Sequence, residues 1–74
     1  MVDAEEVRTR IAAALPGARV AVADSTGAGD HFDVEVIAEA FAGKPLVEQH
    51  RMVYGALGEL MPRIHALALH TRTP

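Results

Sequence analysis

Ile64-His65-Ala66-Leu67-Ala68-Leu69-His70-Thr71 (residues 64–71) has the period-two pattern of a strand. Ile64, Ala66, Ala68 and His70 fall on one side, and His65, Leu67, Leu69 and Thr71 on the other. Both sides are largely apolar, which predicts a central or well-covered strand. Pro62 stands just ahead of it, where a helix would end.

Upstream the period changes. Leu46, His50, Val53, Leu57 and Leu60 follow helical spacing, and Val47, Tyr54 and Met61 widen the stripe. Gly43-Lys44-Pro45 breaks the preceding pattern and starts this helix, with Pro near the first turn, where its missing N–H costs little. Gly55 and Gly58 each weaken a helix by about 0.5–1 kcal/mol relative to Ala. They either permit close packing or split the helix into two pieces. A helical crossover allows the strand after it to run parallel to an earlier one.

Two further strands precede the crossover. Arg19 to Asp24 alternates. Phe32, Val34, Val36 and Ala38 alternate with Asp33, Glu35, Ile37 and Glu39, giving one mostly polar face. Between them Ser25 to Asp30 is rich in Gly and short polar residues, the signature of a hairpin loop, so these strands are expected to pair antiparallel. The chain opens on a helix from Asp3 to Leu15, with Val7, Ile11, Ala14 and Leu15 as its apolar stripe. Asp3 is its N-cap, Glu5 and Glu6 favour the helix dipole, and Pro16-Gly17 ends it. The expected order is α-β-β-α-α-β. This is an α+β fold in which a three-stranded mixed sheet is covered on one face by helices, in a single domain over residues 1–74.

Composition narrows the function. Half of the 74 residues are apolar, but only Phe32, Phe41 and Tyr54 are aromatic, so the core is thin. With no cysteine there is neither a disulfide nor a thiolate for catalysis or metal. Met1 to Glu6 carry acids and no apolar run, which argues against a signal peptide. No stretch approaches the roughly 20 apolar residues of a membrane span. A cytoplasmic protein with no membrane partner is expected. The formal charge of −3 argues against a protein that coats nucleic acid.

Several strings resemble the BolA family. They are Asp24-Ser25-Thr26, His31-Phe32-x-Val34-x-Val36, Phe41-x-Gly43-Lys44-Pro45-Leu46-Val47, His50-Arg51-x-Val53-Tyr54, and Ile64-His65-Ala66-Leu67-Ala68-Leu69-x-Thr71-x-Thr73-Pro74. The resemblance runs through nearly the whole chain in order. It implies a fold similar to a type II KH domain and a monothiol glutaredoxin as partner. It also implies a two-iron two-sulfur cluster shared with that glutaredoxin and its bound glutathione, present only in the complex. The family's ligand histidine maps onto His65, and a second ligand, His or Cys in many members, comes from the first hairpin loop. Three positions depart from the pattern: Ala28 stands where some members carry Cys, Gln49 replaces a common Arg, and the chain stops at Pro74 before a frequent Trp.

The residues also have plain readings. From its position alone, His65 is a strand-end or core histidine; the resemblance makes it a metal ligand. A neutral imidazole can replace a thiolate on one iron and raise the potential. His31 is either an exposed strand-start residue or the loop-derived second ligand, with Asp30 beside it to orient the ring. His50, on the helix stripe, reads as a satisfied, half-buried structural histidine and as a residue near the partner. Lys44, Arg51, Arg63 and Arg72 are either scattered solvated charges or a local basic patch. Lys44, Arg51 and Arg63 are the candidates for contacting glutathione carboxylates or an acidic partner.

Lys44 and Arg51 are also the candidates for nucleic-acid contact in a rival reading, a DNA-binding transcriptional regulator. A KH-type clamp needs Gly-x-x-Gly. The corresponding turn, Gly43-Lys44-Pro45-Leu46, has no second Gly, and Gly55-Ala56-Leu57-Gly58 lies inside the helix. A homodimer is a third reading. No catalytic constellation is present: Ser25 lacks a triad pattern, and Gly27-Ala28-Gly29 is too short for a phosphate loop. Binding, not catalysis, is expected.

Overall fold

The Asp3 carboxylate accepts a hydrogen bond from the Glu5 amide at 3.0 Å and so starts the first helix. The computed structural model describes residues 2–74, and its elements follow from there. Helix α1 spans Ala4–Ala14, strand β1 Arg19–Asp24 and strand β2 His31–Ile37. A 3-10 turn at Glu39–Phe41 leads to helix α2, Leu46–Leu57. A second 3-10 segment, Gly58–Arg63, joins α2 to strand β3, Ala66–Arg72.

The sheet order is β1-β2-β3. β1 pairs antiparallel with β2, placing Val22 opposite Val34, and β2 pairs parallel with β3, placing Val34 beside Leu69. β2 is therefore the central strand. Its residues alternate strictly: Phe32, Val34 and Val36 are at most 1% exposed, while Asp33 and Glu35 face solvent. The buried side meets Val7 and Ile11 of α1, Val53 and Leu57 of α2, and Leu60 and Phe41 from the 3-10 pieces. Each large apolar side chain buried there contributes about 1.5–3 kcal/mol.

Three sequence expectations change, and the alternative of a divided second helix holds. The C-terminal strand is an edge strand, not a central one, and it begins at Ala66, so His65 lies just before it. Ala66, Ala68, His70 and Arg72 are exposed, and Leu67, Leu69 and Thr71 are half-buried. The second helix stops at Leu57, where Gly58 adopts φ +48 and the chain tightens into the 3-10 segment that contains Pro62. Gly58 is thus the point at which the crossover divides. Leu46, Val47 and Tyr54 do not join the core; they are 60%, 57% and 38% exposed. Ala14, read as part of the first stripe, is exposed too, while Leu15 closes that end of the core. Among the described residues, no helix is long and apolar enough to cross a membrane.

Candidate metal-ligand site at the His31–His65 pair

The hairpin loop between β1 and β2 is organised by one carboxylate. Asp24 Oδ1 accepts from the amides of Thr26 at 3.3 Å and Gly27 at 2.9 Å, and its Oδ2 accepts from Gly29 at 2.9 Å. Gly27 and Gly29 have φ of +78 and +76, a conformation that glycine adopts without a side-chain clash. Ser25 closes the loop base: its amide and its hydroxyl both donate to the His31 carbonyl, at 3.0 and 3.1 Å. The Gly29 carbonyl accepts from the Val2 amide at 2.9 Å, which ties the loop to the N-terminal segment.

The loop then reaches across to β3. The Asp30 carbonyl accepts from the amides of His65 at 2.7 Å and Ala66 at 3.0 Å. His31 opens β2 in register with Ala66. These bonds set the two histidines side by side. Their rings stack with centroids 4.9 Å apart and planes inclined by 28°. His65 is exposed, and His31 is half-buried. Asp30 is poised at the edge of the pair: its Oδ1 accepts from the Thr26 hydroxyl at 3.1 Å, and its Oδ2 lies 3.9 Å from His31 Nε2. That gap is too long for a hydrogen bond.

Two stacked imidazoles at an open sheet end can offer ring nitrogens outward. They cannot enclose a metal by themselves. Among the described residues, no group of three His, Asp or Glu side chains is placed to hold an ion. Any metal taken up here needs ligands from a second molecule.

The other candidate residues lie elsewhere. Lys44 precedes the first turn of α2, and Gln49 holds that turn in place: Gln49 Nε2 donates to the Lys44 carbonyl at 2.9 Å, while Gln49 Oε1 accepts from the Thr71 hydroxyl at 2.7 Å. The start of α2 thus sits at the far end of β3 from His65. The twelve residues of α2 alone run about 18 Å. Arg51 is exposed and donates to Glu48 Oε1 at 2.9 Å. The basic set is therefore dispersed, with Arg63 alone close in sequence to His65.

His50 is half-buried as expected, with its ring edge-on to Tyr54 at 6.2 Å. It is not satisfied, however: its buried Nε2 has no hydrogen-bond partner among the described residues.

Two features escaped the sequence reading. The Asp24 carboxylate is the loop's organiser, and Asp24-Ser25-Thr26 is the kind of Asx turn that could have indicated it. The exposed trio Leu46, Val47 and Tyr54, read as core, forms an apolar surface along α2 instead.

Comparison with known proteins agrees with this architecture. The family model described as "BolA-like protein" matches residues 11–74. Protein BOLA2 of Arabidopsis thaliana is 46% identical over 70 residues, covering 93% of this chain and 75% of that protein. The DNA-binding transcriptional regulator BolA of Escherichia coli is 33% identical over 81 residues, covering 99% of this chain and 77% of that protein. The crystal structure of a bol-like protein from Babesia bovis superposes with a TM-score of 0.89 at 31% identity, over 100% of this chain and 87% of that one. The helices, the mixed sheet and a match extending from α1 to the C-terminus place this chain in the BolA-like protein family.

Proposed function

We propose that this chain is a binding module that docks a monothiol glutaredoxin and lends the His65 imidazole to a two-iron two-sulfur cluster held between the two proteins. Its role would lie in cluster assembly, trafficking or iron regulation. The observation that carries this reading is the exposed His65 ring stacked on His31 at 4.9 Å, at the end of the sheet. The donor set fits a shared cluster. This chain supplies at most two imidazoles at the site and has no thiolate, so the remaining ligands must be sulfur donors from the partner and its glutathione. A histidine-ligated iron is more readily reduced than an all-thiolate one, which is the chemistry the imidazole supplies.

His65 is the primary ligand in this reading because it is the more exposed ring and follows the 3-10 segment rather than lying within a strand. His31 backs it and is the second donor. The Asp30 carbonyl fixes the His65 and Ala66 backbone beside His31. Lys44, His50, Arg51 and Arg63 are assigned to the partner-facing surface. The Glu48 pairing leaves the Arg51 guanidinium with further donors for a carboxylate.

The test is to titrate the purified chain into cluster-loaded monothiol glutaredoxin and record visible absorption and circular dichroism. The expected result is a new spectrum that His65→Ala abolishes. An unchanged spectrum with the wild-type chain would overturn the reading.

DNA binding is the weaker alternative. It is favoured by the printed name of the Escherichia coli relative. On this chain, however, Arg51 is engaged by Glu48, Lys44 stands apart from Arg63, and the formal charge is −3. A surface that binds phosphate through counterion release needs clustered cations.

A further inference from the structure

The edge formed by β3 stands out from the rest of the sheet. Ala66 donates to the Asp30 carbonyl, and the Arg72 carbonyl accepts from Ala38 at 3.0 Å. In a parallel pair with this register, Ala66, Ala68, His70 and Arg72 turn their backbone groups toward β2. Leu67, Leu69 and Thr71 therefore turn theirs outward, on the side of β3 where no strand pairs among the described residues. The Thr71 hydroxyl donates to Gln49 Oε1 and so is held on the helix side of the strand.

Natural edges are blunted by charges, proline, bulges or short length. β3 runs seven residues with none of the first two before Arg72. β1, the other edge, carries Arg19 at one end and Asp24 at the other and lies along α1.

We propose that the β3 edge is an interface between two copies of this chain, paired antiparallel about Leu69. The strand is self-complementary in this pairing, which gives the dimer a twofold axis. In this register Leu69 meets the second copy's Leu69, and Leu67 meets the second copy's Thr71. Each of these pairs exchanges N–H···O bonds in both directions. Toward the helices, the half-buried leucines complete their burial against one another. On the open face Ala68 meets the second copy's His70, and Ala66 meets the second copy's Arg72. No like charges oppose one another, and the Arg72 cation meets the methyl group of Ala66. The interface is smaller than a standard protein–protein contact, so the dimer is weak and reversible.

The test is sedimentation equilibrium of the full chain from about 10 μM to 1 mM, together with amide exchange by NMR. The apparent mass is expected to rise from 7.9 kDa toward twice that value, and the Leu67, Leu69 and Thr71 amides are expected to exchange more slowly as concentration rises. Ala66 is exposed, so a longer side chain there points into solvent. Ala66→Lys, which opposes the second copy's Arg72, is expected to raise the dissociation constant about tenfold, counting both symmetric pairs. Ala66→Glu is expected to lower it, and Ala66→Lys with Arg72→Glu to restore it. A mass fixed at 7.9 kDa throughout overturns the proposal. So does a dimer indifferent to both Ala66 variants, or a monomer whose Leu69 amide is protected only by an added extended peptide.

Discussion

His31 and His65 lie 34 positions apart in sequence, yet their rings stack at 4.9 Å because a single carbonyl, that of Asp30, accepts from both His65 and Ala66. The pair is a product of backbone hydrogen bonding, and the side chains ride on it. Loosening the hairpin loop should therefore separate the rings even with both histidines intact.

Asp24→Ala tests this. The substitution removes the acceptor of three loop amides. Because hydrogen bonds to a charged group are the stronger kind, a loss of about 1.5–3 kcal/mol of stability is expected in urea unfolding. The glutaredoxin-dependent cluster spectrum should weaken in the same variant. A full spectrum from a destabilised Asp24→Ala protein would show that the loop does not position the ligand.

Acid should dismantle the complex from the imidazole side. A ring nitrogen that carries a proton cannot coordinate iron, so cluster-dependent association falls as pH is lowered. His65→Cys supplies a thiolate in place of the imidazole and should hold the cluster to lower pH than the wild type. Parallel pH titrations of the two complexes by circular dichroism would show this. Identical curves would mean that the imidazole is not the titrating ligand.

A second pH effect belongs to the fold alone. The side-chain hydrogen bond from Arg8 holds the Glu5 carboxyl below its ordinary value of 4.5. A carboxyl lowered on folding stabilises the native state above the unfolded value, and that stability is lost as pH falls through the lowered folded value. Glu5→Gln should thus melt slightly below wild type at neutral pH, and the gap should close in acid well below 4.5. Melting curves of both proteins from pH 7 to pH 2 measure it. The effect is small because the pair lies at the surface, where solvent screens it.

The order of elements, the antiparallel hairpin and the parallel last strand were legible from the sequence because each rests on local pattern. The place of β3 was not. Apolarity on both sides of residues 64–71 suggested a covered strand, but Ala66 and Ala68 are small enough to sit in water at little cost. In a sheet with one open face, the central strand is the one with the bulkiest buried side, here Phe32, Val34 and Val36, and with acids on the other. The His31–His65 pairing was legible only through the family resemblance, since no spacing rule joins a loop end to a segment 34 residues on.

The apolar stripe of α2 misled for a related reason: periodicity reports direction around a helix, not how far the core extends beneath it. Val53 and Leu57 lie over the sheet, whereas Leu46 and Val47 occupy the first turn and stand in solvent. The two halves of the stripe should therefore respond oppositely to truncation. Leu57→Ala, at a site with no exposure, should cost about 2–5 kcal/mol, a large part of the stability of a domain this small. Leu46→Ser and Val47→Ser should change stability by about 0.5 kcal/mol or less. If this surface receives the glutaredoxin, the same two variants should weaken its binding about fivefold or more in calorimetric titration. Unchanged affinity in a stable Leu46→Ser, Val47→Ser double variant would move the docking surface off α2 and leave it around the histidine pair.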